Sequence, residues 1–376
     1  MARLRFPFRY RGIIFATHDS GCETSLATRR RKRPSQHYLQ SPASRTFPLR
    51  VLNEMTEEDA KALFQELRWA QTGGKPVCSH CGHTEAWILT GEVKRFKFKA
   101  PTCRRLFAVT SGTIFASHHM SFKDIITGLR AFTLNAKGYN SIAFSKEVGC
   151  DYKTAFVFQH KVREAMMHAA KDIRLDGEIE MHGCWFGGYV KPENVKINRV
   201  DRRLTANRTG KRCVIVGLRE RGEGGRSIVN IFNQEGEALA WIRERCHRGA
   251  MLFADEAPAW DDIHASHQAD RVNHSERYAL GEANKINTNQ MESLFSRMRQ
   301  FEVGTHHHIA GPYLLRYAND TAWRENHRRL DDMSPVRLAL RHALTTPISR
   351  TFCGYWQQRG PRQMQPVGHN FYANFV

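Results

Sequence analysis

The spacing of apolar residues changes along the chain, and near residue 175 it switches from a helical period to the period of strands. Between residues 121 and 170 apolar positions recur at the spacing of helices with one buried face. This part of the chain is predicted to form three helices, at residues 122–135, 141–147 and 152–169. A shorter amphipathic helix is predicted ahead of them, at residues 56–69.

Strands dominate the chain beyond residue 175. Short apolar runs between glycine-rich turns predict three consecutive strands, at residues 178–186, 212–218 and 227–232. They are followed by a helix at 235–246, a strand at 251–254 and a helix that carries Glu292. This order predicts an α/β fold with a mixed sheet flanked by helices, as in the ribonuclease H-like fold.

Polar residues near the ends of these elements form a candidate catalytic site. In a ribonuclease H-like sheet the first and fourth strands are neighbours, which would bring His182 near Asp255. On the last helix Asn289, Glu292 and Arg299 share one face, because seven residues make almost two turns. The opposite, core-facing stripe consists of Met291, Leu294, Phe295 and Met298. The alternatives are a capping box formed by Asn289 and Glu292, a helix start at Asp255 and a solvated surface position for Arg299.

Three cysteines in the N-terminal half have the spacing of a zinc ribbon. Cys78 and Cys81 form a Cys-x-x-Cys knuckle, and Cys103 follows after two predicted strands, at residues 86–89 and 95–99. Thiolates are the ligands that structural Zn²⁺ sites prefer.

The second knuckle of this ribbon lacks one thiolate, because Ala100 stands in it. His80 or His83 is a candidate for the fourth ligand, although both lie beside the first knuckle. The alternative is a ribbon that folds without metal or binds Zn²⁺ weakly.

The break at residues 148–151, between the last two predicted helices, is typical of a helix-turn-helix. The second helix carries polar and basic side chains, namely Lys153, Gln159, His160, Lys161 and Arg163. We predict that Lys153, Lys161 and Arg163 bind DNA. The alternative is an ordinary helical hairpin that packs against the following domain.

The charge of the chain favours a polyanionic partner. Lys and Arg number 57 against 37 acidic residues, which gives a net charge of +20 and a pI near 9.9. Eleven of the basic residues lie in the first 50 positions, against Asp19 and Glu23, so +11 remains for the rest of the chain. Nucleic acid is the first candidate partner. Scattered cysteines and the absence of a long apolar run predict a cytoplasmic protein that does not span a membrane.

Five segments are predicted from these patterns. Residues 1–46 form a basic disordered extension, or an upstream extension of the true start, and residues 331–376 form a C-terminal tail. Between them lie a zinc-ribbon-like region, a helical region and a catalytic domain, at residues 47–117, 118–172 and 173–330.

Ordered motifs from about residue 47 to residue 357 resemble those of bacterial insertion-sequence transposases with a zinc ribbon and a DDE catalytic domain, the ISXO-like kind. The motifs are Cys78-x-x-Cys81, Phe107-x-x-Thr110-Ser111-Gly112, Tyr152-Lys153-Thr154-Ala155, Phe186-Gly187-Gly188-Tyr189, Asp255-Glu256, Thr288-Asn289-x-x-Glu292-Ser293, Tyr313-Leu314-x-Arg316-Tyr317 and Trp323-Arg324-x-Asn326. Each motif alone is weak evidence for the family. The resemblance rests on their occurring together in the family's order.

The resemblance implies a DNA transposase that binds the ends of its element as a dimer or larger multimer, cuts phosphodiester bonds and joins the freed 3′-hydroxyl to target DNA. The family's first catalytic Asp falls on His182 and its second on Asp255. Its third polar residue falls on Asn289 or Glu292, and its basic residue matches Arg299.

The catalytic metal expected of such a site is Mg²⁺ or Mn²⁺, held by Asp255 and Glu292. A histidine at position 182 weakens this expectation, because a neutral imidazole offers one lone pair and disfavours Mg²⁺. Glu180, on the same strand face, is a candidate replacement. The sequence therefore predicts an impaired transposase or, alternatively, a non-catalytic DNA-binding remnant or repressor.

The run from His306 to His308 invites a metal assignment, but three consecutive side chains converge poorly on one ion. DNA contact or local packing is the favoured prediction for these histidines.

Overall fold

The computed structural model describes residues 37–78, 80–89, 95–99, 101, 103–104, 106–187, 193–201, 212–273, 286–309 and 311–356. The described residues from Tyr38 onward belong to one compact unit. Most of the predicted disordered extension, and Ala100 in the ribbon, lie outside the described residues. The end of that extension contains 3-10 turns at Tyr38–Gln40 and Pro42–Ser44, and Ser44 is buried.

The N-terminal part of the unit contains two helices and a small sheet. Helices α1 (Leu49–Glu54) and α2 (Glu57–Arg68) come first, and a capping box between Thr56 and Asp59 starts α2. Strands β1 (Ala86–Leu89), β2 (Arg95–Phe98) and β3 (Leu106–Phe107) then form an antiparallel sheet in that order.

The predicted helical region forms three helices close to the predicted bounds. These are α3 (Phe122–Leu134), α4 (Ser141–Val148) and α5 (Tyr152–Ala170). Side chains of Ser121, Asn140 and Asp151 accept a backbone hydrogen bond at the start of each helix, as N-cap residues do.

A mixed sheet of five strands forms the second half of the unit. Its strands are β4 (Glu178–Gly187), β5 (Arg212–Glu220), β6 (Ser227–Phe232), β7 (Met251–Asp255) and β8 (Gln268–Val272). Their order across the sheet is β6-β5-β4-β7-β8. The pairs β4–β5 and β5–β6 are antiparallel, whereas β4–β7 and β7–β8 are parallel.

Helices cover both faces of this sheet. Helix α6 (Leu239–Arg245) and a 3-10 segment (Pro258–Ala265) pack on the face that carries Ile179 and Met181. Helices α7 (Asn289–Phe301) and α8 (Leu314–His327) pack on the other face, which carries Cys184 and Phe186. The predicted core stripe of α7 is confirmed, because Met291, Leu294, Phe295 and Met298 are at most 3% exposed.

Two parts of the fold differ from the sequence-based expectation. Strand β8 was not predicted, because its sequence, from Gln268 to Val272, is largely polar. The predicted C-terminal tail contains α9 (Met333–Thr345), which shares a buried core with α2, α3 and α5. Val336 and Leu340 are fully buried there, so this helix completes the N-terminal half of the fold.

No helix among the described residues is both long and apolar enough to cross a membrane.

Candidate active site

The parallel pairing of β4 and β7 brings His182 and Asp255 together. In this register Glu180 lies opposite Phe253, and Asp255 ends β7 two residues further on. The His182 Nδ1 atom lies 3.0 Å from Asp255 Oδ2. The sequence-based expectation that these two residues are neighbours therefore agrees with the structure.

The two carboxylate oxygens of Asp255 have different surroundings: Oδ2 lies near His182 Nδ1 without hydrogen-bond geometry, whereas Oδ1 accepts two hydrogen bonds. The indole N–H of Trp260 donates to Oδ1 at 2.7 Å and the backbone N–H of Ala257 donates to the same atom at 3.3 Å. Burial alone would raise the pKa of Asp255, but the contact with His182 and these two donors outweigh it and lower the pKa. Asp255 is therefore held as a carboxylate that faces an imidazole.

Helix α7 runs along β4 and presents successive residues to it. The backbone N–H groups of Gln290 and Met291, in the first turn, donate to Glu180 Oε2 at 2.8 and 3.1 Å. One turn later the ring of Phe295 lies 5.8 Å from the ring of His182. Position 292 on α7 thus lies between the level of Glu180 and the level of His182.

Glu180, the candidate replacement for the missing carboxylate, is buried and has hydrogen-bond partners. Its side chain is 1% exposed and also accepts a hydrogen bond from Arg221 Nε at 2.9 Å. With the two N–H donors of α7, these contacts make Glu180 the N-terminal cap of that helix. The oxygens of Glu180 hold α7 and Arg221, which counts against the hypothesis that Glu180 replaces the missing carboxylate.

Asn289 and Glu292 are both placed at the start of α7. Asn289 is its exposed first residue, and Thr288 precedes it as N-cap without a side-chain cap bond. The hydroxyl of Thr288 donates to Glu292 Oε1 at 3.2 Å. The alternative capping box between Asn289 and Glu292 is thus not formed.

Arg299 is anchored to β4 two turns after Glu292. Its Nη2 donates to Cys184 Sγ at 2.9 Å, and its guanidinium lies 5.4 Å from the ring centroid of Phe186. Arg299 nevertheless stays exposed, which leaves its charge beside the site rather than inside the core.

Glu235 is a further acidic residue near this site, and no motif or spacing in the sequence selects it. A Cβ atom at Gly183 would lie 2.4 Å from Glu235 Oε1, so the carboxylate fits only because residue 183 is glycine. Burial and then the charge of Asp255 raise the pKa of Glu235, whereas His182 lowers it. Glu235 is recognised as a neighbour of the site only because its side chain lies close to Gly183 in the folded structure.

The donors at this site do not fit a Mg²⁺ pair. Mg²⁺ requires oxygen ligands in near-ideal octahedral geometry, and a two-metal site needs carboxylates around both ions. Here one carboxylate faces an imidazole. Within the described part of the chain, no third His, Cys, Asp or Glu donor lies within 4.8 Å of both.

The three ribbon cysteines do converge. Among the described residues, Cys78, Cys81 and Cys103 form the one group of three such donors whose ligand atoms all lie within 4.8 Å of one another. Cys78 Sγ lies 3.7 Å from Cys103 Sγ. Burial would raise the pKa of Cys78, but backbone N–H groups of Cys81 and His80 donate to its sulfur and lower it.

His83 is a better candidate than His80 for the fourth zinc ligand. His80 is exposed, whereas His83 Nε2 is buried without a hydrogen-bond partner. The His83 carbonyl also accepts from the Cys78 N–H at 2.9 Å, which fixes this residue beside the knuckle. Three thiols suit Zn²⁺, but His83 does not belong to the group of donors within 4.8 Å of one another, so its ring would have to move to complete the site.

The predicted DNA-binding residues of α5 differ in accessibility. Lys153 is exposed and Lys161 is half-buried. Arg163 is fully buried, forms an ion pair with Asp320 at 3.0 Å and lies over the ring of Tyr317. The prediction that Arg163 binds DNA is therefore wrong, because its guanidinium belongs to the core.

The three consecutive histidines, His306 to His308, differ in their exposure to solvent. The ring of His306 packs between Phe301 and Tyr317, with ring centroids 4.4 and 4.8 Å away, and burial lowers its pKa to about 3. His307 and His308 are exposed. Local packing is thus the role of His306.

Comparison with known protein families agrees with this architecture. Residues 174–326 match the family model of the ISXO2-like transposase domain, and residues 55–105 match that of the transposase zinc-ribbon domain. No curated protein and no solved structure matches the chain. The first match implies a ribonuclease H-like fold and a divalent metal for the domain built on β4–β8. Because both domains occur in the order that their motifs predicted, the chain belongs to the ISXO2-like family of insertion-sequence transposases.

Proposed function

We propose that this transposase binds the ends of its element and keeps the strands and helix of a DNA-cleaving site. We further propose that His182 prevents metal-dependent cleavage. The observation that carries the proposal is the 3.0 Å contact between His182 Nδ1 and Asp255 Oδ2. An imidazole that contacts the second catalytic carboxylate supplies neither the charge nor the bridging oxygens that two divalent ions need.

The other proposed catalytic residues keep positions compatible with this role. Asp255 ends β7 as a carboxylate, and Glu292 or Asn289 would supply the third ligand from α7. Arg299, exposed beside β4, is proposed to hold a DNA phosphate. With an aspartate at position 182, the carboxylates of residues 182 and 255 would face each other across β4 and β7.

The test is nicking of DNA that carries the sequences flanking the gene, in Mg²⁺ and in Mn²⁺. We expect no cleavage by the unaltered protein and cleavage by the His182→Asp variant. His182→Asn is the matched control, because it removes the imidazole without adding a carboxylate. A His182→Asp/Asp255→Asn double variant should be inactive. Cleavage by the unaltered protein in Mg²⁺ would contradict the proposal.

The second candidate function is a non-catalytic DNA-binding protein that recognises element ends and represses related transposases. The net charge of +20 and the exposed Lys153 at the start of α5 favour DNA binding independently of catalysis. Failure of His182→Asp to cut, together with tight and salt-sensitive binding of element ends, would favour this function.

Binding of two ends by one assembly requires more than one copy of the chain, and we propose a dimer on DNA. Light scattering of the protein with one and with two ends per DNA molecule measures this. A strictly 1:1 complex in both cases would exclude the dimer.

A further inference from the structure

A cavity of about 500 Å³ lies beside the N-terminal half of α5. Its walls are α5, the segment of residues 115–120 and the chain between residues 352 and 356. Its volume falls within the range of about 300–1,000 Å³ that is typical of small-molecule sites. It shares no residue with the His182–Asp255 site.

Two lysines of α5 give the cavity a positive charge. Lys153 and Lys161 both line it, eight residues or about two turns apart. Neither ammonium group forms an ion pair with a residue that the structure describes. The acidic residue of the lining, Asp151, instead accepts hydrogen bonds from the N–H and hydroxyl of Thr154, at 2.7 and 3.2 Å. Among the described residues, the carboxylate of Glu164 lies near half-buried Lys161 but binds Ser349 and Arg316 instead, which leaves the ammonium of Lys161 able to bind an anionic ligand.

Aromatic rings lie next to these charges. Trp356 is 43% exposed, and the ammonium of Lys153 lies 5.4 Å from its ring centroid. The indole N–H donates to the Lys153 carbonyl at 3.3 Å, and the ring of Tyr355 stands perpendicular at 5.1 Å. The Trp356 ring is thus held in a fixed position with much of its surface exposed to solvent, as a stacking platform requires.

The backbone of the cavity wall is strained at one residue. Ser117 has a φ of 58°, and among the described residues only His307 shares a positive φ without being glycine. Such a conformation is unfavourable for a residue with a side chain and persists mainly where the surroundings fix it, often at binding sites. Ser117 lines the cavity, so the strain lies at the proposed site.

We propose that this cavity binds a nucleotide, with the base stacked on Trp356 and the phosphate between Lys153 and Lys161. A ring platform beside unpaired ammonium groups is the combination that binds unpaired nucleotides without reading their sequence. The nucleotide comes either from a DNA strand, as an unpaired residue at an end, or from solution as a monophosphate. The first source rests on the proposed binding of DNA ends, and the second does not.

The test uses the full chain and the fluorescence of 2-aminopurine, which falls when the base stacks on an aromatic ring. Three probes are compared: 2-aminopurine deoxynucleoside monophosphate, a duplex with one unpaired terminal 2-aminopurine, and a blunt duplex with 2-aminopurine paired internally. We expect saturable quenching with the overhang duplex or the free nucleotide, and none with the blunt duplex. Quenching of the free nucleotide identifies a site for soluble nucleotides, whereas quenching of the overhang alone identifies the strand.

Two variants of the cavity should weaken this binding. Trp356→Ala and Lys153→Gln are each expected to raise the dissociation constant for the quenched probe roughly 5- to 150-fold. The matched controls are Trp87→Ala and Lys99→Gln, because Trp87 is 48% exposed and Lys99 lies 5.8 Å from its ring, outside the cavity. Circular dichroism verifies that each variant is folded.

The outcomes separate this inference from the proposed function. No quenching with any probe, or quenching that Trp356→Ala and Lys153→Gln leave unchanged, would overturn the nucleotide site. Loss of discrimination between element ends and scrambled duplex would count against the proposed function alone. If a protein that does not discriminate between these duplexes still quenches the probe, the nucleotide site in the cavity remains supported.

Discussion

At the scale of single residues, the position of a charged side chain depends on partners that are distant in sequence. Arg163 resembles a DNA-binding residue on a basic helix, yet it pairs with Asp320, 157 residues later in the chain. Glu180 resembles a spare carboxylate, yet it caps α7. The helical and strand periods predict which face of an element is buried, but not which buried charge meets which partner.

The zinc ribbon yields a residue-scale prediction. We expect the protein to bind one Zn²⁺ through Cys78, Cys81 and Cys103, with His83 as the fourth ligand. A Co²⁺-substituted sample should show thiolate charge-transfer bands and a tetrahedral d–d spectrum, because both ions accept sulfur and imidazole ligands.

The control for this prediction is the other histidine of the knuckle. His83→Ala should change the d–d spectrum and lower the affinity for Co²⁺, whereas His80→Ala should leave both unchanged, since His80 is exposed. An identical spectrum in all three proteins would exclude His83 as a ligand.

At the scale of elements, the placement of α7 determines the candidate site. Its start is fixed by Glu180, its middle packs Phe295 against His182, and its end is held by Arg299 on Cys184. The apolar stripe of this helix was predictable from its period, and so was the pairing of the strands that carry His182 and Asp255. Strand β8 was not predictable, because its sequence lacks alternating apolar residues.

Removal of the charge that caps α7 should destabilise the protein. Glu180→Gln leaves Arg221, whose side chain is 12% exposed, without its closest carboxylate, and we expect a loss on the order of 3 kcal/mol in the free energy of unfolding. Glu178→Gln is the matched control. It lies on the same strand and pairs with the same arginine at 3.5 Å, but its side chain is 48% exposed, so a loss of at most about 1 kcal/mol is expected.

Urea unfolding followed by tryptophan fluorescence measures both variants. Equal midpoints for Glu180→Gln and Glu178→Gln would show that Glu180 does not hold α7 as described. Loss of metal binding in Glu180→Gln, but not in Glu178→Gln, would instead make Glu180 a ligand.

At the scale of the whole molecule, α8 joins the helical core to the sheet. Trp323 belongs to the core formed by α2, α3, α5 and α9, whereas Ala318 and Ala322 pack with α7 against the sheet. The side chain of Asn326 bonds both backbone groups of Ser227 on the edge strand β6, at 2.7 and 2.9 Å. Contacts of this kind join segments far apart in sequence, so the chain pattern alone did not reveal that the predicted tail completes the N-terminal core.

A buried carboxylate at this junction should be indispensable for stability. Asp320 is fully buried between Arg163 and Arg324, at 3.0 and 2.8 Å. Asp320→Asn leaves two guanidinium groups without a counter-charge, and we expect a loss of about 3–5 kcal/mol. The control is Asp261→Asn, because Asp261 is 64% exposed in its pair with Arg271 and should cost at most about 1 kcal/mol. Thermal unfolding of both variants tests this, and similar midpoints would contradict it.

We propose that His182 keeps a divalent metal out of the site that Asp255 and α7 form. The most direct measurement is Mn²⁺ binding by the full chain, followed by electron paramagnetic resonance, for the unaltered protein, His182→Asp and His182→Asn. Changes to residues that only hydrogen-bond to metal ligands alter metal affinity about 10- to 100-fold, so a restored ligand should tighten binding by roughly tenfold or more. We predict this gain in His182→Asp only. Equal affinity of the unaltered protein and His182→Asp would contradict the claim.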